Sequence, residues 1–536
     1  MVNPYQKVVT HAKGKNMKND GMPTGGSPSP THQSGPPVER GRVIQESRPL
    51  IDVGDRDLPS IMLKAWAALG RINEPPLLFR QGNRLVRLDG QSDVVRLADM
   101  DIDGLTRHLA RAALWWDVMR GRSEYPPTRV VRCMLAEPNP PLPPLQRIVR
   151  TPVFAADGAL QTKPGYAPRS QTYFWPHCPS VTFRVPLAPT RAAIERARIL
   201  LVEDLMGDFP FVAQADLAHA VALLALTPVR DMIDGPTPLH LIEKPSPGTG
   251  ASLLVEVITS IAVGAPAAAM TASGNLEEMR KRITAGLRSG PAVLLWDNLR
   301  PRLDSDALAA ALTADVWEDR MLGHSTVVRL PVRCAWVATA NNPTLSPEIE
   351  RRTVRVRLDA QRDQPWLRPA AGFRHPDLRE WVREHRTALG EAVLTLVQAW
   401  IAQGQPVPTD VPSLGMYEGW RRTMAGILHV AGIPGFLNTV NMDDSATDPA
   451  TSAMRAFVAA WLARFGEGRV TVSDLYAVAV DCALPIDLGG QGEHVQKIRL
   501  GQFLAAHRDQ VIGAMRLVQD GSKRRAMCWR LIIIKP

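Results

Sequence analysis

The chain has 536 residues, 45% hydrophobic and 22% charged, with 46 prolines and a formal net charge of +10. At about 150 residues per domain this implies about two to four domains, each able to bury a core without disulfide or metal staples. Met1 to Arg48 carries seven Lys/Arg against three Asp/Glu and Gln491 to Pro536 nine against three, so the stretch between is neutral and an anionic partner gripped at the ends, nucleic acid first, is implied.

Five scattered cysteines (Cys133, Cys178, Cys334, Cys482 and Cys528) form no CxxC pair. That argues against a zinc knuckle or a disulfide framework and predicts a reducing, cytoplasmic setting. The first residues, MVNPYQKVVTHAKGK, lack the apolar core of a signal peptide. The longest low-charge stretch, Val257 to Asn275, is broken by Gly264 and Pro266, so no membrane span is expected.

In chain order, residues 1–48 are rich in Pro, Gly, Ser and Lys and read as a disordered basic arm. IMLKAWAALG predicts a short amphipathic helix, and LLFRQGNRLVRLDG a hairpin around Gln81-Gly82-Asn83. DIDGLTRHLARAALWWDVM returns to helical spacing, and VFAADGALQTKPGY suggests a second hairpin over Asp157-Gly158. Together 49–185 form a small α+β domain. Within it the aromatic run Tyr173-Phe174-Trp175 reads as core, and His177-Cys178, like His240 further on, as packing or surface.

Residues 190–228 are strongly helical. The period then switches to short apolar runs, LHLIE, AVLLWDN and CAWVATANN, separated by helices, which marks a parallel sheet buried on both faces. Residues 371–440 return to helix, with a capped helix from Glu418 ending in Gly-Ile-Pro-Gly, and a polar linker follows. The tail, 452–536, reads helix, short strand, helix, helix and hairpin.

LHLIEKPSPGTGASLL carries chemistry. A phosphate-binding loop, GxxxxGK followed by Ser or Thr, runs from a strand into a helix, cradles phosphate on backbone amides and places its Lys on the β/γ oxygens and its hydroxyl on magnesium. Pro247, Gly248, Thr249, Gly250, Ala251 and Ser252 fall in this register. Pro245 replaces the first Gly, which the later glycines tolerate. Ala251 replaces the Lys and deletes the charge aimed at the γ-phosphate. Lys244, at the strand end, is expected to face solvent.

Downstream, AVLLWDN ends in Asp297, suited to hold magnesium through water. WVATANN ends in amides that could orient water, and EIERRTVRVRLD places Arg351 and Arg352 after a short turn. Between them RMLGHSTVVRLPVR predicts a hairpin with Gly323-His324-Ser325 at its tip. In the tail, VTVSDLYAVAV starts a helix with Ser473 as N-cap. HVQKIRLGQFLAAHRDQ is a second helix bearing Lys497, Arg499 and Arg508, and Lys523, Arg524 and Arg525 lie at the hairpin tip.

This order of loop, acid, amide and arginine pair resembles the AAA+ ATPases close to the virus-type (superfamily 3) primase–helicases of phages and bacterial integrative elements. The resemblance extends over roughly residues 50–536, through GDFPFVAQADLAHAVALLALTPVR, RKRITAGLRSGPAVLLWDN, LPVRCAWVATANNPTLSPEIERRTVRVRLD and LGMYEGWRRTMAGILHVAGIPGF. It implies an α/β AAA+ core at 190–370 (a parallel sheet with flanking helices), a helical lid at 371–440 and a C-terminal winged helix at 452–536. By resemblance, Gly248, Gly250 and Ser252 bind the phosphates and Mg2+ of ATP, Asp297 is the Walker B acid, Asn341 the sensor amide, and Arg351 or Arg352 the arginine finger. Asn298 stands where many members carry a catalytic Glu, leaving the general base unassigned.

The family further implies a ring, hexameric by expectation, that couples ATP turnover to movement on DNA in replication of a phage or mobile element, with a separate primase as a further partner. Single-stranded DNA would meet His324 and Arg329 in the pore. Duplex would meet the winged helix and its basic wing, through phosphate-directed contacts. Because the other site elements are intact, Ala251 reads as an engineered Lys→Ala replacement made to stop hydrolysis, with a natural pseudo-ATPase as the alternative. A different class of function, a non-hydrolysing DNA-binding scaffold, is the runner-up. A nuclease or primase lacks an acidic metal cluster in 49–185.

Overall fold

A computed structural model describes residues 48–533 except 92–93, 177–180, 272–275, 300–301, 321–326, 363, 439–448, 483–491, 510, 513–514 and 524–525. The expected arm at 1–48, all but Arg48, and the His177-Cys178 pair lie outside the described residues.

The first part is mixed α and β. Asp57 caps helix Leu58–Ile72, accepting the Ser60 N–H, and Ile61, Ala65, Trp66 and Leu69 face a small core. Strands Leu78–Gln81 and Arg84–Gln91 form the expected hairpin, with Gly82 at φ 60° in the turn. The helix expected to run through LWWDVM stops at Ala112. Leu114–Asp117 is instead a strand pairing in parallel with Leu50–Asp52, because Trp115 is buried there and donates its indole N–H to the Leu109 carbonyl at 3.0 Å. The second hairpin is reduced to one bridge, Phe154 to Leu160, around Gly158 at φ 82°. Tyr173 and Phe174 are buried, Tyr173 edge-on to Phe79. Val149, Phe154, Phe174 and Phe183 belong to the same buried cluster as the central sheet.

The central elements are α1 (Gln214–Val229), β1 (Leu239–Lys244), α2 (Ala251–Ala262), β2 (Ala269–Thr271), α3 (Leu276–Arg288) and β3 (Val293–Leu299). There follow α4 (Asp306–Ala311), β4 (Val316–Arg320), β5 (Val327–Pro331), β6 (Ala335–Asn341), α5 (Pro347–Glu350) and β7 (Thr353–Arg357). Five strands form an all-parallel sheet in the order β2-β3-β6-β1-β7. Alternation along the strands sorts their side chains. Ile242, Leu295, Val337 and Val356 face the cluster that holds α1 and α2, while Leu241, Trp296 and Trp336 face the cluster that holds α3 and α4. The central strands are buried on both faces, which is why they read as continuous apolar runs.

Helices α6 (Leu378–Ala402) and α7 (Glu418–Val430) pack on the first of these clusters. Trp420 meets the ring of His240 edge-on, so His240 is a packed core residue. After α8 (Pro449–Phe465), the tail holds β8 (Val470–Thr471), α9 (Val472–Asp481), α10 (Glu493–Ala506), β9 (Val511–Ile512), β10 (Met515–Lys523) and β11 (Ala526–Ile533). Its four strands form an antiparallel sheet, β8-β11-β10-β9, over a core of Phe457, Trp461, Leu475, Leu500 and Trp529. The cap of α9 is Thr471 and not Ser473. Thr471 and Asp474 exchange side-chain and backbone bonds in a capping box, and Ser473 already lies inside the helix. Among the described residues no helix is long and apolar enough to cross a membrane.

Candidate functional site

The turn from β1 into α2 is made by glycines that no other residue would replace without strain. Gly248 has φ 79° and Gly250, the N-cap of α2, φ 110°. A Cβ on Gly248 would lie 2.9 Å from Cβ of Trp366. Thr249 is buried and donates its hydroxyl to the Ser246 carbonyl at 2.8 Å, closing the loop on itself, while Pro247 is exposed at its outside. The first intrahelical bond runs from Leu254 N–H to Gly250 O, so the amides of Ala251, Ser252 and Leu253 precede it and make an anion-binding helix start.

The strand order places the ends of β1, β6 and β3 side by side beneath that loop. By alternation Lys244, Thr339, Asn341 and Asp297 lie on the face covered by α2. Asp297 Oδ1 accepts the Ser252 hydroxyl at 3.0 Å and the Thr339 hydroxyl at 2.6 Å. Thr339 Oγ1 in turn accepts the Asn298 N–H at 2.8 Å. Asn298 adopts φ 55° at a register shift in β3, and its side chain is exposed. A small amide tolerates this left-handed backbone, and such bulges re-aim the side chains beside a site. Asn341 keeps a buried Oδ1 without a hydrogen-bond partner among the described residues.

Lys244 departs from the expectation that it faces solvent. It is half-buried, and burial holds its pKa below the usual lysine range while the charge of Asp297 pulls the other way. The physical reason is its place: the last residue of a central strand, paired in register with Asn341 and with its carbonyl accepting the Asn342 N–H at 3.1 Å.

Beside the loop, a cleft of about 160 Å³ is lined by Asp208, Phe209, Gly250, Leu253, Arg368 and Phe373, among others. Arg368 lies over the Phe373 ring at 4.9 Å, reaches the Thr249 carbonyl at 3.5 Å and keeps a buried Nε without a partner among the described residues. These residues fit a magnesium–nucleotide. The helix start and glycine turn suit the phosphates, and Ser252 with Asp297 is a hydroxyl–carboxylate pair of the kind that holds magnesium alongside phosphate oxygens. The orphaned Asn341 oxygen is a ready acceptor for a water or a protonated phosphate. When bound, magnesium would neutralise phosphate charge. The chain's own part is to orient: Thr339 fixes the Asp297 carboxylate, and Asn341 presents a polar atom between the acid and Lys244.

The two arginines separate. Arg351 is exposed and ion-paired to Glu348, whereas Arg352 is buried, with bonds to the Glu348 carboxylate and carbonyl. Both precede β7, whose Thr353 pairs with Leu239 at the start of β1. They therefore lie at the opposite end of the sheet from the loop, about 17 Å away at ~3.3 Å per residue.

Strands β4 and β5 form the expected hairpin, but His324 and the tip lie outside the described residues. Arg329, on β5, is exposed and paired with Glu318 at 3.2 Å. The hairpin base is pinned to α3: buried Asp319 accepts Arg280 Nε at 2.9 Å and the Thr284 hydroxyl at 2.5 Å. Burial would raise the Asp319 pKa, and these donors more than offset it.

In the tail, Lys497 is paired with Glu493 and sits over Tyr476, and Arg499, two residues on, points to a different side of α10. Arg508 was expected on this helix but lies beyond its end at Ala506, where it pairs with Asp509. Lys523 ends β10, and Arg524 and Arg525 lie outside the described residues. Thr339 and Arg368 were not singled out by the sequence. The alternation of Thr339 with Asn341 along WVATANN was the available signal for the first, and Arg368 had none.

No protein-family model matches the chain, and no curated protein matches it. Among solved structures, the chain is similar to the apo C-terminal region of NrS-1, at 10% identity over 88% of this chain and 98% of that one, with a TM-score of 0.42. It is also similar to an active helicase, Cch of SCCmec type IV, at 11% identity, 84% and 90% coverage and a TM-score of 0.35. The inhibitor-bound JCV helicase is a further neighbour, at 12% identity, 39% and 54% coverage and a TM-score of 0.21.

Proposed function

We propose that this chain is an ATP- and Mg2+-binding AAA+-type motor that acts on DNA as a helicase, in replication of a phage or mobile element. The observation that carries the reading is the convergence of Ser252, Asp297, Thr339 and Asn341 at adjoining strand ends beneath a glycine turn that opens a helix. The cleft beside Gly250 suits the base, which would stack on Phe209 or Phe373.

Arg351, exposed and distant from its own loop, suits a neighbour's phosphate, so the active form is a homo-oligomeric ring, hexameric by this reading. Single-stranded DNA would pass His324 and Arg329 on the β4–β5 hairpin. The tail would act as a winged helix, meeting duplex phosphates through Lys497, Arg499, Arg508 and the Lys523-Arg524-Arg525 tip. A separate primase is the partner this role would need.

Ala251 favours a second reading. Its methyl is 1% exposed and packs with Leu254 and Val255, so the customary ammonium is absent from the helix start. On that basis the chain would be a non-hydrolysing DNA-binding scaffold. Nucleotide binding and ATPase rate with and without DNA, measured on this chain and on Ala251→Lys, separate the two. DNA-stimulated turnover by either protein, with rings in electron micrographs of the DNA–analogue complex, is the expected result for a motor. Nucleotide binding without turnover by both leaves the scaffold, and no binding by either overturns the nucleotide site.

A further inference from the structure

We propose that Lys244 takes the place of the missing loop lysine and contacts the terminal phosphates of the nucleotide from the end of the central strand. This rests on the nucleotide-site reading and deepens it.

Three observations carry it. Lys244 shares a sheet face with Asp297 and Asn341, the face roofed by the phosphate loop and α2. Its backbone is fixed by β6, which pairs with it at Asn341 and Asn342, while β7 runs along the other edge of β1 as far as Glu243. Its ammonium is half-buried and makes no ion pair among the described residues, and the carboxylate whose charge it feels is that of Asp297. A half-buried lysine with no carboxylate in ion-pair contact is a poor structural element. Set against the two or more negative charges of a nucleotide's phosphate tail, it has a partner.

The lysine stem suits the task. It is long and flexible and carries a compact charge with three donors, so the residue can start from the strand end and reach into the loop that follows it. The exchange also explains why Ala251 is tolerated. The position on α2 is filled by a buried methyl, and the positive charge arrives from the β1 side of the same loop. Of the other cations near the loop, Arg368 is engaged by the Thr249 carbonyl and the Phe373 ring.

The test is equilibrium binding of a fluorescent ATP analogue and its ADP counterpart to the full chain, to Lys244→Met, to Lys244→Arg and to the double variant Lys244→Met/Ala251→Lys. The expected result is that Lys244→Met binds the triphosphate about 10- to 100-fold more weakly, as loss of a charge-assisted contact predicts, and loses its preference over the diphosphate. Lys244→Arg keeps part of the affinity. The double variant recovers it, which separates a lost contact from a misfolded protein. Unchanged triphosphate affinity and preference in Lys244→Met overturns the proposal alone. Failure of the unmodified chain to bind either nucleotide overturns both this proposal and the nucleotide site. Failure of the double variant to recover binding, although its thermal unfolding matches that of the unmodified chain, overturns the exchange of one lysine for the other.

Discussion

Thr339 donates its hydroxyl hydrogen to Asp297 Oδ1 at 2.6 Å while accepting the Asn298 amide hydrogen at 2.8 Å. One buried side chain thus holds the acid and the bulge behind it in a single geometry. Thr339→Val keeps the shape and removes both bonds. The expected outcome is a 10- to 100-fold rise in the magnesium concentration needed for nucleotide binding, the usual size of an outer-shell effect. Titration of nucleotide binding with magnesium checks it.

Gly248→Ala meets two obstacles, a positive φ and the Trp366 Cβ 2.9 Å from the new methyl. It is expected to cost about 1–3 kcal/mol of local strain and to abolish nucleotide binding while the rest of the chain stays folded. Gly250→Ala has the same backbone problem but finds only the Phe209 ring at 3.6 Å, so it is expected to do less damage. Thermal unfolding with and without nucleotide distinguishes them.

The arginine pair predicts two different phenotypes. Arg351→Ala is expected to change stability by no more than about 0.5 kcal/mol, because its ion pair is exposed. In the Ala251→Lys background it is expected to remove turnover, and mixing it with the Ala251→Lys protein to lower activity more than in proportion. Arg352→Ala leaves a cavity and frees the Glu348 carbonyl, and is expected to cost about 1–3 kcal/mol in chemical unfolding. Loss of stability in the first or none in the second would reverse the assignment.

Two histidines make stability depend on acid. Burial pushes His219 down to about 4 and His240 down to about 3. His219 accepts the Leu437 N–H on Nε2 at 3.1 Å, so its Nδ1 carries the hydrogen donated to the Arg355 carbonyl at 2.7 Å. Both stay neutral in the fold while an unfolded histidine, near 6.5, takes a proton. Unfolding therefore binds protons between those values, and stability falls as pH drops from about 6.5 toward 4. For His219 alone the loss is about 3 kcal/mol. Denaturant unfolding from pH 7 to 4.5 is expected to show this slope, reduced by one proton in His219→Gln.

Unpinning the hairpin offers a test of its coupling. Asp319→Ala removes the acceptor for Arg280 and Thr284 on α3. It is expected to leave nucleotide affinity unchanged and to lower DNA stimulation of turnover, or DNA affinity where turnover is absent. The ratio of rates with and without DNA, or a DNA titration, measures it.

The parallel sheet was legible because strands covered on both faces read as unbroken apolar runs, and the glycine turn because its residue types are constrained by backbone sterics. Thr339 was not, since a β-branched residue inside such a run looks like packing until its neighbour in β3 is known. Lys244 was misjudged for the same reason. A charged residue before a proline reads as a surface turn, and only the pairing of the end of β1 with β6 sets it among the strand ends. Local aromatic content could not say that Leu114–Asp117 leaves the helix, because its partner strand is more than sixty residues earlier. Thr471 was overlooked as a cap because Ser473 offered the same chemistry two residues on.

The separation of the phosphate loop and Arg351 to opposite ends of one parallel sheet constrains assembly. In the ring proposed above, Arg351 of one copy meets the loop of the next in a head-to-tail, and therefore heterologous, contact. Propagation of that contact ends only when the rotation between copies closes, and otherwise continues as a filament. Each added copy then completes exactly one site and opens another, so an unclosed assembly of any length always carries one incomplete site at its end.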